Sequence, residues 1–191
     1  MLIFMIPQRI RLMFKHLFQI FFFAISWACP HSLLQAKEEL QQIPITLEFA
    51  KTADELTWGL MQRPSLPQDH GMLFIYPEPA KASIWMFNCL INLSVAFIDE
   101  NGMIRQINEL KAYPDKIDSK RPVRSPHELK LYSLKDPFIR FFEKRSVSTR
   151  FAVSFVLEMN AYWFQKHGVK VGDQLRWDEG SKTGTVIKIR H

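Results

Sequence analysis

The chain has 191 residues, of which 47% are hydrophobic and 23% charged, with 11 Pro and 7 Gly. This composition is typical of one compact globular domain and excludes disordered and collagen-like classes. The formal net charge is +6, but three of the basic residues, Arg9, Arg11 and Lys15, lie at the very start. Without them 22 basic residues stand against 19 acidic ones, a net charge of +3. That charge is too small to indicate nucleic-acid binding.

The first 28 residues have the layout of a secretory signal. Residues 1–16 are basic and contain no acid, and residues 17–27 form an apolar run that ends in small side chains. The run is too short for a transmembrane helix, which needs about 20 apolar residues. We therefore expect an exported protein in the periplasm, the cell envelope or the medium. An uncleaved anchor or an interfacial helix is the alternative, and translation from Met13 would leave a shorter signal.

The cleavage site decides whether the mature protein carries a lipid. Cleavage after Ala28 or after Ala36 gives a soluble protein, whereas Ser26-Trp27-Ala28-Cys29 also fits a loose lipoprotein signal in which Cys29 is lipidated. Contact with a membrane is expected only through the signal or this lipid. If Cys29 is retained unmodified, a disulfide to Cys89 becomes an option; otherwise Cys89 is a lone thiol, most simply a small buried hydrophobe.

Residues 29–42 are polar and lack periodicity, which predicts a linker before a domain at 43–191. The domain begins with an alternating strand at 45–49. Thr52 and Glu55 form a capping-box pattern, which predicts a short helix that continues to Arg63 and ends at Pro64.

The rest of the domain alternates short strands with turn residues. Asn101-Gly102 predicts a hairpin with positive φ at both central positions. Residues 112–150 form an irregular, Pro-rich insertion that contains a predicted helix at 133–144 with an apolar stripe. Asn160 is expected to cap a second short helix that Gly168 ends. The predicted strands are 71–76, 83–88, 93–99, 103–110, 151–157, 174–177 and 185–189.

This pattern predicts an all-β fold with short helices, a compact single-domain β-barrel or β-sandwich. The expected core consists of six apolar residues, Leu47, Leu73, Trp85, Phe97, Ile104 and Leu157.

Three apolar motifs, TWGLMQRPSL, GMLFIY and SIWMFNCLINLSVAFID, occur within residues 47–106. With them the chain resembles the family named domain of unknown function 192 (DUF192) over about residues 43–178. The resemblance implies a small β-barrel protein but no settled activity. The family's Trp-Met-Lys-Asn-Thr stretch is matched here at Trp85, Met86 and Asn88, while Phe87 replaces Lys and Cys89 replaces Thr.

Two further replacements, Asn92 for Pro and Ser94 for Asp, lie close by. Together these changes remove a cation, a hydroxyl and a carboxylate from the place where a polar site would be built. Arg63 matches the family's Gly-Leu-Met-x-Arg pattern, and Glu158 matches its Leu-Glu pattern. We therefore name Arg63, Trp85, Asn88 and Glu158 as candidate ligand-binding residues, each of which also has a simple structural role as its alternative.

Motifs of known catalytic and metal chemistry are absent from the sequence. There is no Cys-x-x-Cys, His-Glu-x-x-His, Gly-x-Ser-x-Gly or phosphate-binding loop, and the six His are scattered. We therefore expect no metal, no cofactor and no catalytic residue. The predicted function is a non-catalytic binding module for a small molecule, a glycan or an envelope partner. The alternatives are an enzyme with an unrecognised polar site and an envelope assembly protein that docks a partner through Phe138, Phe141 and Phe142.

Overall fold

The computed structural model describes residues 40–189. The predicted signal at 1–28, Cys29 with its predicted lipidation, and all but the last three residues of the predicted linker lie outside the described residues. Within residues 40–189, no helix is both long enough and apolar enough to span a bilayer.

The described residues form mostly β-strands and a few short helices, so the predicted fold class is confirmed. The strands are β1 (Gln42–Ala50), β2 (His70–Ala80), β3 (Ser83–Ile84), β4 (Leu93–Ile98), β5 (Ile104–Leu110), β6 (Val147–Ser148), β7 (Val153–Asn160), β8 (Gln174–Asp178) and β9 (Thr183–Ile187). Seven of them form one curled sheet, a half-barrel, in the order β5-β4-β7-β2-β1-β9-β8. β1 and β2 are parallel, and the other neighbours in this sheet are antiparallel. β3 and β6 pair separately.

The two edge strands of the curled sheet, β5 and β8, meet at their N-terminal ends. The Ile104 N–H donates to the Asp173 carbonyl at 2.8 Å, and the Leu175 N–H donates to the Gly102 carbonyl at 2.8 Å. Gly102 has a φ of +78°, and a Cβ at this position would overlap the Leu175 carbonyl. Only glycine permits both the turn and this close approach.

Alternation along the strands sends side chains into two separate cores. The inner core lies on the enclosed side of the half-barrel and receives residues from β1, β2, β4, β5, β7, β8 and β9. Its fully buried members include Leu47, Leu73, Ile98, Ile104, Leu157, Met159 and Leu175. The outer core lies on the opposite face, under the first helix and the insertion. It includes Leu60, Phe74, Phe87, Val95, Phe97, Phe142 and Val156.

The first helix, α1 (Ala53–Trp58), begins with the predicted capping box. The Thr52 hydroxyl accepts from the Glu55 N–H at 3.3 Å, and the Glu55 carboxylate accepts from the Thr52 N–H at 2.9 Å. The prediction that the helix continues to Arg63 is wrong. Gly59 has a φ of +50° and lies against the Phe74 ring, so the chain turns there and α1 ends at Trp58.

The predicted strand at 83–88 is wrong beyond its first two residues. β3 pairs with β6 only at Ser83 and Ile84, and the Cys89 N–H donates to the Met86 carbonyl in a turn. Asn88 has a φ of +58°, which no strand residue adopts. Alternation therefore does not apply, and every side chain from Met86 to Cys89 is buried rather than every second one.

The Asn101-Gly102 hairpin differs from the prediction in its backbone. Gly102 has a positive φ, whereas Asn101 does not. The Asp99 carboxylate organises the turn instead, because its Oδ1 accepts from the N–H groups of Asn101 and Met103 at 3.0 Å each.

The insertion at 112–150 contains two short 3-10 helices, Pro114–Lys116 and Pro126–Leu131, and the helix α2 (Pro137–Glu143). α2 is shorter than the predicted 133–144 because Asp136 caps its N-terminus, accepting from the Phe138 N–H at 2.9 Å. Leu134, predicted to belong to the apolar stripe of this helix, therefore precedes it and is 85% exposed.

The last helix, α3 (Trp163–Lys166), is not capped by Asn160 as predicted. The Asn160 amide instead donates to the Leu66 and Pro67 carbonyls at 3.0 and 2.8 Å, while Tyr162 occupies the N-cap position without a side-chain bond. Gly168, at a φ of +65°, ends the helix as predicted.

Candidate functional site

A cavity of about 280 Å³ opens on the outer face of the sheet, between the sheet and α1. Its volume is just below the usual range for ligand sites, about 300 to 1,000 Å³. Helix α1 with the turn that follows it, strands β2, β3 and β7, and the turn after β3 contribute its walls. The lining residues are Leu56, Thr57, Trp58, Gly59, Leu60, Met61, Phe74, Tyr76, Ser83, Ile84, Trp85, Cys89 and Glu158. We call this space the Glu158 cavity.

Glu158 is the one carboxyl among the described residues that line the cavity. It lies within β7, not at the sheet end predicted from the sequence, and its register neighbours are Met72 on β2 and Val95 on β4. The residue is only 5% exposed. Strands on both sides and apolar neighbours leave its carboxyl little contact with solvent.

Burial raises the pKa of Glu158 to about 8, because an apolar environment disfavours the charged form. Among the hydrogen bonds within residues 40–189, none involves its side chain. A largely buried carboxyl without a hydrogen bond from the protein is costly unless another polar group satisfies it, and the oxygens of Glu158 are open to the cavity, where a ligand would do so. At neutral pH the group is therefore mostly a neutral acid.

Two other ionisable groups, Tyr76 and Cys89, line the same cavity. Burial, and secondarily the negative charge of ionised Glu158, raises the pKa of Tyr76 to about 12. The same two causes raise the pKa of Cys89 as well. Its thiol therefore stays protonated at neutral pH, where it is a poor nucleophile, and it donates weakly to the Phe87 carbonyl at 3.6 Å.

Aromatic rings form much of the cavity wall. Trp58, Phe74, Tyr76 and Trp85 come from α1, β2 and the turn after β3. The Trp85 ring stacks on Phe87 with centroids 5.2 Å apart and an interplanar angle of 24°. Trp85 is half-buried, so its predicted place within the core is wrong: one side packs on the outer core and the other faces the cavity. The remaining five predicted core residues are fully buried.

Arg63 lies outside the cavity. Its guanidinium forms a bidentate ion pair with Glu48 of β1, with Nη1–Oε1 at 3.0 Å and Nη2–Oε2 at 2.5 Å. Both side chains remain about 40% or more exposed. This pair connects the segment after α1 to the sheet, and both Nη atoms of Arg63 already have a partner.

Asn88 also lies outside the Glu158 cavity, and it stabilises a turn. Its side-chain amide donates to the Val123 carbonyl at 2.8 Å, and its own carbonyl accepts from the Gln62 N–H at 2.9 Å. The residue is buried in the left-handed conformation, which Asn tolerates better than most residues. Of the four candidate residues, the structure thus brings Trp85 and Glu158 together and places Arg63 and Asn88 elsewhere.

Sequence reasoning missed Tyr76 and Trp58. A signal for Tyr76 was present, because Met72, Phe74 and Tyr76 alternate on one face of β2, the face that Glu158 shares through its pairing with Met72. Trp58 carried no comparable signal, since its orientation depends on where α1 ends.

The cavity offers one acid, aromatic faces, the hydroxyls of Thr57, Tyr76 and Ser83 and the thiol of Cys89, and the described residues that line it include no Lys, Arg or His. Residues 40–189 contain no cluster of three His, Cys, Asp or Glu side chains that could hold a metal ion. The arrangement can accept from, donate to or ion-pair with one polar group while its walls contact apolar surface.

Fold and site together define a small half-barrel domain with a buried acid in an aromatic cavity. The sequence model of domain of unknown function 192, described as Uncharacterized ACR, matches residues 34–177. The chain belongs to this family, as its motifs indicated.

Two of the solved structures that resemble the chain are bacterial proteins. One is a Sinorhizobium meliloti protein described as a candidate transcription regulator, with 26% identity over 71% of this chain and 93% of that protein, at a TM-score of 0.50. The other is a protein of unknown function from Novosphingobium aromaticivorans, with 24% identity over 74% of this chain and 89% of that protein, at a TM-score of 0.51. The second similarity shows the fold alone. No curated protein matches the chain.

Proposed function

We propose that this protein is an exported, non-catalytic module that binds a small molecule, and that its binding site is the Glu158 cavity. The observation that carries the proposal is a carboxyl, 5% exposed and without a hydrogen-bond partner among residues 40–189, that faces a cavity of about 280 Å³ with aromatic walls. A ligand with one polar group would satisfy this carboxyl, and its apolar part would contact Trp58, Phe74 and Trp85.

Docking of a protein partner through the Phe-rich segment has less support. Phe142 is buried in the outer core, and Phe141 is covered by Arg145, whose guanidinium carbon lies 3.8 Å from the ring centroid. Phe138 packs on the same core beside Tyr132. These side chains are engaged within the domain. A glycan remains an alternative ligand, because aromatic faces and a carboxyl also suit sugars.

An enzyme is the second candidate function, and the pKa of Glu158 favours it. A carboxyl that is a neutral acid near pH 7 is suited to donate a proton to a substrate. Against this, the thiol of Cys89 and the phenol of Tyr76 are held protonated, so neither supplies an activated nucleophile. Turnover of a ligand that binds in the cavity would favour the enzyme over the binding module.

The test is a thermal-shift screen of the purified protein against small amines, sugars and neutral amphiphiles. We expect a member of this panel to raise the melting temperature of the wild type, and we expect Glu158→Gln and Trp85→Ala to abolish this shift. Arg63→Ala is the matched control, because Arg63 is a polar candidate outside the cavity. A ligand whose shift survives both cavity variants would place the site elsewhere and overturn the proposal.

Export rests on the basic start and the apolar run of residues 17–27. Mass spectrometry of the protein from native membranes and from the soluble fraction measures its N-terminus and any lipid on Cys29. We expect a start at Cys29, at Pro30 or near Lys37. A full-length protein in the cytosol would contradict export, but it would leave the binding site unaffected.

A further inference from the structure

A second cavity, of about 340 Å³, adjoins the Glu158 cavity. Ser83 and Trp85 line both spaces, so the indole of Trp85 forms part of each wall. The other lining residues come from the insertion and are Leu129, Tyr132, Leu134, Ile139, Glu143 and Ser146. We call this space the insertion cavity.

The insertion cavity is the more apolar of the two. Ile139 and Tyr132 are buried at its base, whereas Leu134 at its edge is 85% exposed. The exposed Leu134 and the apolar wall of the cavity beside it together form the kind of surface that a hydrocarbon group covers. Because the two cavities share Trp85, one elongated ligand can occupy both.

The charge of the Glu158 cavity selects the polar end of such a ligand. Among the described lining residues there is one carboxyl and no Lys, Arg or His, so an anionic head group would lie in an apolar cavity without a cation to pair with, and the ionised form of Glu158 would repel it. An ammonium group has the opposite charge and favours the ionised form of Glu158, against the effect of burial. The faces of Trp58, Tyr76 and Trp85 attract a cation as well.

We propose that the ligand is a cationic amphiphile whose amine or quaternary ammonium head lies in the Glu158 cavity and whose hydrocarbon tail passes Trp85 into the insertion cavity. This inference rests on the proposed function and adds the ligand class and the second subsite. It also gives the insertion at 112–150 a role, because insertion residues form most of the wall that the tail contacts.

Isothermal titration calorimetry with tetramethylammonium and with butyl-, hexyl- and decyltrimethylammonium, each below its critical micelle concentration, tests the two subsites separately. Decanoate is the head-group control. We expect the dissociation constant to fall about two- to fourfold per methylene that enters the insertion cavity. We expect Glu158→Gln to weaken every cation at least tenfold and decanoate to bind at least a hundredfold more weakly than the decyl cation.

Leu134→Asn tests the tail site on an exposed residue whose replacement leaves the buried core intact. It should reduce the dependence of affinity on chain length and leave tetramethylammonium binding unchanged. Val171→Asn is the matched control, since Val171 is also an exposed aliphatic residue and lines neither cavity. This control substitution should change neither the affinities nor their dependence on chain length.

The outcomes separate the inference from the proposed function. If tetramethylammonium binds in a Glu158-dependent way but chain length has no effect, the cavity is a binding site and the two-cavity ligand is wrong. Equal binding of decanoate and the decyl cation overturns the cationic head. If none of these cations binds, the inference fails, and the proposed function then depends on the sugars and neutral compounds of the screen.

Discussion

The two faces of the half-barrel sheet are built from the same strands but packed in different ways. On the inner face, aliphatic side chains such as Leu73, Ile98 and Leu157 are 0% exposed and form a closed core. On the outer face, aromatic and aliphatic side chains leave two cavities, and a carboxyl takes the place of an apolar residue. Both faces bury apolar side chains, while the outer face also carries the features that a ligand would use.

Strand β7 shows the contrast within three residues. Leu157 and Met159 enter the inner core, and Glu158 between them faces the cavity on the other side. Since neighbouring side chains on a strand point to opposite faces, a substitution can change one face with little effect on the other. Substitutions on the two faces can therefore be compared with each other.

The largest expected effect is on the inner face. Leu157→Ala removes a fully buried side chain from a closed core, and we expect it to lower the free energy of unfolding by about 3 to 5 kcal/mol. Trp85→Ala should cost about 1 to 2 kcal/mol, below the usual 3 to 5 kcal/mol for a buried aromatic, because the ring is half-buried beside a cavity. Urea unfolding of both variants measures this difference. Equal losses would mean that the outer face is as tightly packed as the inner one.

The next effect depends on pH and belongs to Glu158. Its pKa is about 8 in the folded protein and near 4.5 when unfolded, so between these values the folded state holds the extra proton. Stability therefore falls as pH rises through this window, by roughly 1.4 kcal/mol per pH unit at most. Glu158→Gln removes this pH dependence. Between pH 6 and pH 9, we expect the free energy of unfolding of the variant to rise by up to about 3 kcal/mol relative to that of the wild type.

Urea unfolding at a series of pH values measures the gain. Glu48→Gln is the matched control, because Glu48 is an exposed carboxylate on the same sheet. A constant difference between Glu158→Gln and the wild type from pH 6 to pH 9 would show that the carboxyl of Glu158 is hydrated in solution.

Much of the fold followed from patterns that local chemistry controls. The alternating strand β1, the capping box of Thr52 and Glu55, and the helix end at Gly168 all depend on neighbouring residues, and all three are present. The errors arose where distant contacts decide. α1 ends at Trp58 because Gly59, packed closely on the Phe74 ring of β2, takes a φ of +50°, and the strand at 83–88 ends early because β6 offers a partner for only two residues.

The candidate site was predictable in the same partial way. The motifs named Trp85 and Glu158, which line one cavity, but they could not place Arg63, whose partner Glu48 lies on another element. The motifs also placed Asn88 in a strand. In the structure its φ of +58° is that of a turn residue, and its side chain donates to the Val123 carbonyl. Which polar residue faces a cavity depends on tertiary packing, and the sequence does not encode that locally.

Asn88 provides a test of this structural role. Asn88→Ala removes the bond to the Val123 carbonyl and places Ala in the left-handed region, and we expect a loss of about 1 to 3 kcal/mol. The loss stays moderate because the side-chain amide of Gln62 also donates to the Val123 carbonyl, at 2.5 Å. Asn88→Gly restores the backbone freedom but not the bond, so it should lose less. Urea unfolding ranks the two variants, and a more stable Ala than Gly variant would contradict the backbone argument.

The smallest effect is expected at Arg63. Its ion pair with Glu48 is bidentate but solvent-exposed, and exposed pairs contribute about 0 to 1 kcal/mol. We expect Arg63→Ala to lower the free energy of unfolding by less than about 1 kcal/mol, with a smaller loss at high salt because ions screen the pair. The double-mutant cycle with Glu48→Gln isolates the pair energy from other effects of each substitution. Ligand affinity in the Arg63→Ala variant should equal that of the wild type, since the guanidinium does not line either cavity. A selective loss of binding with unchanged stability would instead return Arg63 to the site and move the site from the outer-face cavities toward β1.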